Sequence, residues 1–141
     1  MIRALGILLA AVFAALSLFH LYWASGGRFG SGAAVPTIGG SRLFNPSPAG
    51  TILVAVALIA AMLVVLGRLG IWAGFLPAWI FYWGTRGISL LFFLRAIGDF
   101  RYVGFFKSVQ NTDFARLDTL LFSPLCFFIA VVAFLLSWGK I

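Results

Sequence analysis

A single histidine, His20, stands one helical turn before Trp23 at the far end of a long apolar run. An imidazole held inside an apolar boundary is a candidate acid/base or ligand-binding group. Arg95 and Asp99 are one turn apart, close enough to pair on one helix face, and Arg101 follows closely enough for a second contact. Asp118 and Ser123 flank the start of a further apolar run. With Asp99 or Asp118 orienting its ring, His20 would serve as acid/base on a lipid-like or quinone-like substrate. The plainer reading has His20 hydrogen-bonded to Asp99, Asp118 or a loop carbonyl, with the Arg95–Asp99 turn closing a bundle end. Arg101 and Lys107 carry charges suited to a phosphate. The residues between them interleave Phe, Val and Gly with Tyr102, a pattern that lies in the headgroup layer of a membrane. Tyr22 and Trp23 complete this ligand or partner face.

Other chemistries are short of residues. With one His, one Cys and no Glu, a metal site of the usual three or four ligands would have to rely on Asp, and bis-His haem ligation within the chain is ruled out. No metal and no cofactor is therefore expected. Ser17 and Ser123 lack the glycine-flanked turn of a nucleophile elbow. Pro124 cannot donate to the carbonyl of Leu120, so a kink is expected there, beside Ser123 and Cys126.

The elements that must position these residues are written in the hydropathy. Of 141 residues, 63% are hydrophobic and 9% charged, and runs at about 4–24, 49–67 and 119–138 contain no Asp, Glu, Lys or Arg. Each is near the ~20 residues needed to cross a hydrocarbon core of ~30 Å. A fourth run contains Pro77 and Arg86. A span over about 77–98 puts Pro77 in the first turn, groups Trp79, Tyr82 and Trp83 in an interfacial belt, and lets Arg86 snorkel back towards it. The first run resembles a secretory signal at Arg3, but it continues past the ~7–15 residues of a signal core and reads as a retained span.

Small residues at Gly6, Ala10, Ala14 and Ser17 form a strip on the first span, and Ser123, Cys126, Ala130, Ala133 and Ser137 form another on the last. Such strips let helices approach closely. Ala57 and Ala61 offer a weaker version on the second span, while Phe122, Phe127 and Phe134 should face lipid. The expectation is all-α: an integral membrane four-helix bundle forming one transmembrane domain over 1–141. The connection 25–48 is rich in Gly, Ser and Pro, yet Phe29, Val35, Ile38, Leu43 and Phe44 give it apolar anchors for folding back over the bundle.

Four crossings place the first and third connections on one side. His20, Tyr22, Trp23, Arg95, Asp99, Arg101, Asp113, Arg116 and Asp118 then gather at one end, and Arg3, Arg68, Arg86 and Lys140 form a snorkelling rim at the other. The net charge of +7 is scattered singly at span ends, which fits anionic headgroups and argues against nucleic acid as a partner.

Residues 20–24 (His-Leu-Tyr-Trp-Ala), 94–107 (Leu-Arg-Ala-Ile-Gly-Asp-Phe-Arg-Tyr-Val-Gly-Phe-Phe-Lys), 114–119 (Phe-Ala-Arg-Leu-Asp-Thr) and 123–126 (Ser-Pro-Leu-Cys) resemble those of the domain of unknown function 3995 family. The resemblance spans nearly the whole chain. It implies a helical bundle in a bacterial inner membrane and brings no activity with it. The functional expectation is a non-catalytic accessory or assembly subunit, in contact with membrane lipids and with copies of itself or a larger membrane complex. The alternative is the membrane-embedded enzyme with His20 as acid/base.

Overall fold

The computed structural model describes residues 1–72 and 74–139. Lys140, expected on the basic rim, lies outside them. Four helices are long and apolar enough to cross a membrane: α1 (Ile2–Ala24), α2 (Pro48–Arg68), α3 (Ala78–Ile97) and α4 (Asp113–Trp138). α1 packs most extensively on α2 and α3 on α4, and smaller contacts between α2 and α3 and between α1 and α4 close a four-helix bundle. Leu9, Phe13, Leu58, Val65, Ile129 and Leu136 form its centre.

The outward faces carry the apolar bulk. Leu18, Leu53, Leu91 and Leu120 are each about two-thirds exposed, at 66%, 70%, 65% and 67%. In water an apolar surface this extensive would drive aggregation, whereas in a bilayer it is the solvated face.

Most of each small-residue strip lies inside, while Ala14 and Cys126 are only half-buried and Phe122, expected to face lipid, stacks half-buried on Phe114. Gly6, Ala10 and Ser17 of α1 and Ser123, Ala130, Ala133 and Ser137 of α4 are buried, with Phe127 and Phe134 turned outwards. Polar atoms tie the pairs together: Ser17 Oγ donates to the Ala55 carbonyl at 3.0 Å, and Ser89 Oγ to the Ala130 carbonyl at 2.8 Å. On α2, Ala61 packs partly buried against the core as expected, whereas Ala57 is exposed and the buried small residues are Ala55 and Gly67. Close approach there comes from glycine, since a Cβ on Gly67 would run into the Phe81 ring and one on Gly84 into Val64.

One boundary and the form of one disturbance differ from expectation. The final helix begins at Asp113, earlier than 119, because Thr112 caps it by accepting from the Ala115 N–H at 3.0 Å and Asp113 sits favourably in the first turn. Asp118 is thus a residue of the helix. The disturbance expected from Pro124 is a π-helical turn over Asp118–Phe122. A π turn pairs carbonyls with N–H groups five residues on, which accommodates a missing donor at the fourth.

The connection 25–48 folds over the end of α1 and α2. It holds a short 3-10 turn (Ser31–Ala33) and a two-residue hairpin, β1 (Thr37–Ile38) with β2 (Ser41–Arg42). Gly39 and Gly40 form its tip with φ of 57° and 83°, the left-handed pair that a tight hairpin turn demands. Of the five expected anchors only Val35 is buried; Phe29, Ile38, Leu43 and Phe44 remain exposed, because a chain this rich in turns has too little regular backbone to bring them inward together.

Candidate functional site

Both connections do meet at one end, since the 31–33 turn touches the start of α4. The charged residues there divide into two separate constellations.

The first is centred on Asp118, whose side chain is fully buried. Its Oδ1 accepts from Arg95 Nη2 at 2.8 Å. Its Oδ2 accepts from the Gly104 N–H at 2.8 Å, Lys107 Nζ at 3.0 Å and Ser123 Oγ at 3.0 Å. The π turn makes the last bond possible. Residues five apart sit about 140° from each other around an α-helix of 3.6 residues per turn, and a wider turn brings them nearly into line. Lys107 is buried as well, donating also to the Gly104 carbonyl at 3.0 Å and to Thr119 Oγ1 at 2.6 Å. Every Lys107 proton therefore has an acceptor, and the Asp118 carboxylate is saturated with donors. Arg95 Nη1 is the leftover, buried without a partner among the described residues.

These bonds correct two expectations. Arg95 pairs with Asp118, 23 residues away, and not with Asp99. Lys107 is an internal counter-ion and is not displayed for a phosphate. The reason is Gly98, which ends α3 with φ 90° and ψ −167° and turns the chain out of the helix before Asp99. Asp99 instead folds the following loop, its Oδ1 accepting from the N–H groups of Arg101, Tyr102 and Val103 at 2.9, 2.7 and 3.0 Å. Slight burial works against its charge, but the three donors outweigh it and hold the carboxyl below the ordinary carboxylate range. A group whose folded pKa is lowered contributes order above its unfolded pKa and loses it as pH falls through the folded one. Amide exchange at residues 101–103 should accordingly stay slow through pH 5 and accelerate only below the usual carboxylate range. Early loosening near neutral pH would contradict this role.

The loop so formed presents an aromatic rim. Phe100, Arg101, Phe105 and Phe106 are exposed, Phe100 and Phe106 lie 6.4 Å apart by ring centroids, and the Arg101 guanidinium sits 5.2 Å from the Tyr102 ring.

The second constellation surrounds His20. Its Nδ1 lies 2.7 Å from the Leu16 carbonyl of its own helix. A carbonyl only accepts, so Nδ1 carries the proton and a neutral ring has Nε2 unprotonated. The expected loop carbonyl or acid partner is replaced by this local bond, and neither Asp99 nor Asp118 bonds His20. Trp23 stacks edge-on to the imidazole at 5.2 Å and donates Nε1–H to the Phe29 carbonyl at 2.8 Å. Tyr22 packs against Gly27 and accepts from the Phe29 N–H. Tyr22 and Trp23 thus fasten the start of the connection.

His20, Trp23, Arg42, Phe44 and Thr51 line an open cavity of about 540 Å³ between the ends of α1 and α2 and the folded connection. Arg42 and Phe44 were not singled out by the sequence as site residues. The Gly39-Gly40 turn was the available signal, because a hairpin there swings residue 42 back towards the bundle. Among the described residues no three His, Cys, Asp or Glu side chains gather as metal ligands.

A family model described as "Protein of unknown function (DUF3995)" matches residues 6–133. No curated protein and no solved structure matches the chain.

Proposed function

We propose a non-catalytic docking role for this chain, which belongs to the DUF3995 family, as a multi-pass accessory subunit of a bacterial inner membrane whose polar end receives an anionic amphiphile. The observation that carries the reading is the saturation of Asp118. The carboxylate best placed by sequence for acid–base work holds four donors and is sealed from solvent, so it is architecture. His20 in turn lacks an acidic orienter, which removes the relay that the enzymatic alternative requires. What remains open is a cavity with one guanidinium, one imidazole and the aromatic rings of Trp23 and Phe44, the latter exposed. That is the outline of a site for a charged headgroup with its apolar root.

Dihexanoyl phosphatidylglycerol, titrated against the protein in neutral detergent and followed by tryptophan emission, tests it. Arg42→Ala should weaken binding about tenfold, the scale of one charge-assisted hydrogen bond, and His20→Ala should leave assembly and melting unchanged. Unaltered binding by Arg42→Ala would refute the docking site. Conversion of a membrane lipid or quinone that stops in His20→Ala would replace the reading with the enzymatic one.

A further inference from the structure

On the outer face of the bundle, α3 and α4 part to leave a groove of about 660 Å³ that runs from Arg86 and Trp138 to Phe93 and Phe127. Its walls are Leu90, Phe93, Phe127, Val131 and Phe134, and its floor is the Ser89–Ala130 contact. Ser89 Oγ is already bonded to the Ala130 carbonyl, so the floor asks nothing of a ligand. At one mouth stands Arg86. Its guanidinium lies 4.3 Å from the Tyr82 ring centroid and 5.1 Å from those of Trp83 and Trp138. No described residue pairs with it: the described ion pairs both belong to Asp118, and Arg86 makes no hydrogen bond to a described group.

A cation one to two turns inside a span is costly unless it is drawn to the interface and neutralised there. Three aromatic faces supply part of the attraction, yet a ring quadrupole cancels no charge. The rings also hold the guanidinium plane at the level of the tryptophan belt, where phosphates of the surrounding bilayer lie. We propose that this groove is a specific site for one anionic phospholipid, its phosphate on Arg86 and one acyl chain along the cleft between α3 and α4. The charge complementarity selects the occupant. A second protein copy would have to bring an acidic side chain to Arg86, whereas the chain has only three, of which Asp99 is bound within its own loop and Asp113 and Asp118 sit at the other end of α4. Phosphate also offers the planar guanidinium two oxygens at once.

The site is independent of the cavity at the polar end, so the experiment reads only the change caused at residue 86. Protein is assembled in nanodiscs of equal phosphatidylglycerol and phosphatidylcholine, withdrawn into mild detergent, and its retained lipids are counted by native mass spectrometry. The comparison is made both in the native chain and with Arg42→Ala present. Wild type should hold phosphatidylglycerol over phosphatidylcholine. Arg86→Gln should lower retained phosphatidylglycerol by about tenfold at this site, the scale of a charge-assisted contact, and remove one lipid per chain. Arg86→Lys should restore part of it, and Val131→Phe, which narrows the cleft without touching the charge, should displace both lipids. Unchanged retention by Arg86→Gln in both backgrounds overturns the proposal. So does a Val131→Phe chain that keeps its lipid but dissociates from a dimer, because the groove would then be a protein interface. Should Arg86→Gln fail to fold, equal retention of the two lipids by wild type and by Arg86→Lys overturns it as well.

Discussion

Asp118→Asn should cost the fold about 3–5 kcal/mol, the penalty for leaving buried cations without their counter-charge. Lys107 Nζ and Arg95 Nη2 both terminate on this carboxylate, and the Gly104 N–H and Ser123 Oγ complete its shell. An amide has one oxygen to accept and brings two protons where the cluster already supplies donors, so even with its oxygen in the Oδ2 position the Arg95 bond is lost, and two cations are left without their counter-charge. Denaturation in mild detergent should show the loss, and limited proteolysis should find new cleavage between residues 98 and 112, which hang on Gly104 and Lys107. The double variant Asp118→Asn/Lys107→Met should recover part of the stability, because it removes one of the stranded charges. A near-neutral Asp118→Asn would mean that the cluster is hydrated and open and does not hold the loop in place.

The second large effect should come from Gly98→Ala. A Cβ at this position would fall onto the Val103 carbonyl oxygen and within 2.6 Å of the Gly104 Cα, and the residue adopts φ 90°. Gly104 mirrors it with the same φ and its own collision with the Ile97 carbonyl. Two backbones therefore touch where neither can give way, and the Phe105 N–H reaches the Ala96 carbonyl at 2.8 Å across the junction. With ψ at −167° this is a conformation essentially only glycine adopts, costing another residue about 1–3 kcal/mol, and the backbone overlap adds to it, so the loop must open. Because Gly104 is also a donor to Asp118, opening unseats the ion cluster. Gly98→Ala should accordingly reproduce the proteolytic pattern of Asp118→Asn, and Gly50→Ala, which meets only the Ser47 hydroxyl at 3.1 Å, should not.

The distribution of what the chain reveals before folding follows from range. Helix spans, the turn of α3 at Pro77, the inward strips of α1 and α4 and the aromatic company of Arg86 are all local, set by hydropathy and by residues three or four apart, and each is legible. The partner of Arg95 is not. Asp99 is its natural neighbour at i+4, and only the conformation of Gly98 reveals that the helix has ended between them. Lys107 shows the same limit: in sequence it is one more cation near a membrane, and its burial depends on a carboxylate eleven residues away lying beneath it. His20 departs in the opposite direction: the expected partners are distant acids or a loop carbonyl, whereas its bond is to the carbonyl four residues before in its own helix. Arg42 escaped because a two-residue hairpin inside a loop has no periodicity to read, only its glycine pair.

The widened turn at Asp118–Phe122 amounts to one inserted residue in an otherwise regular rod. Everything after it, from Ser123 to Trp138, owes its azimuth to that insertion. Ordinary winding over the same residues would rotate the remainder by about 100°, the angle of one α-helical residue. Ala130 and Ala133 would then take the outward azimuths now held by Val131 and Phe134. The width of a single turn, near one end of the bundle, thus sets which flank of the last helix faces its neighbours over its whole remaining length.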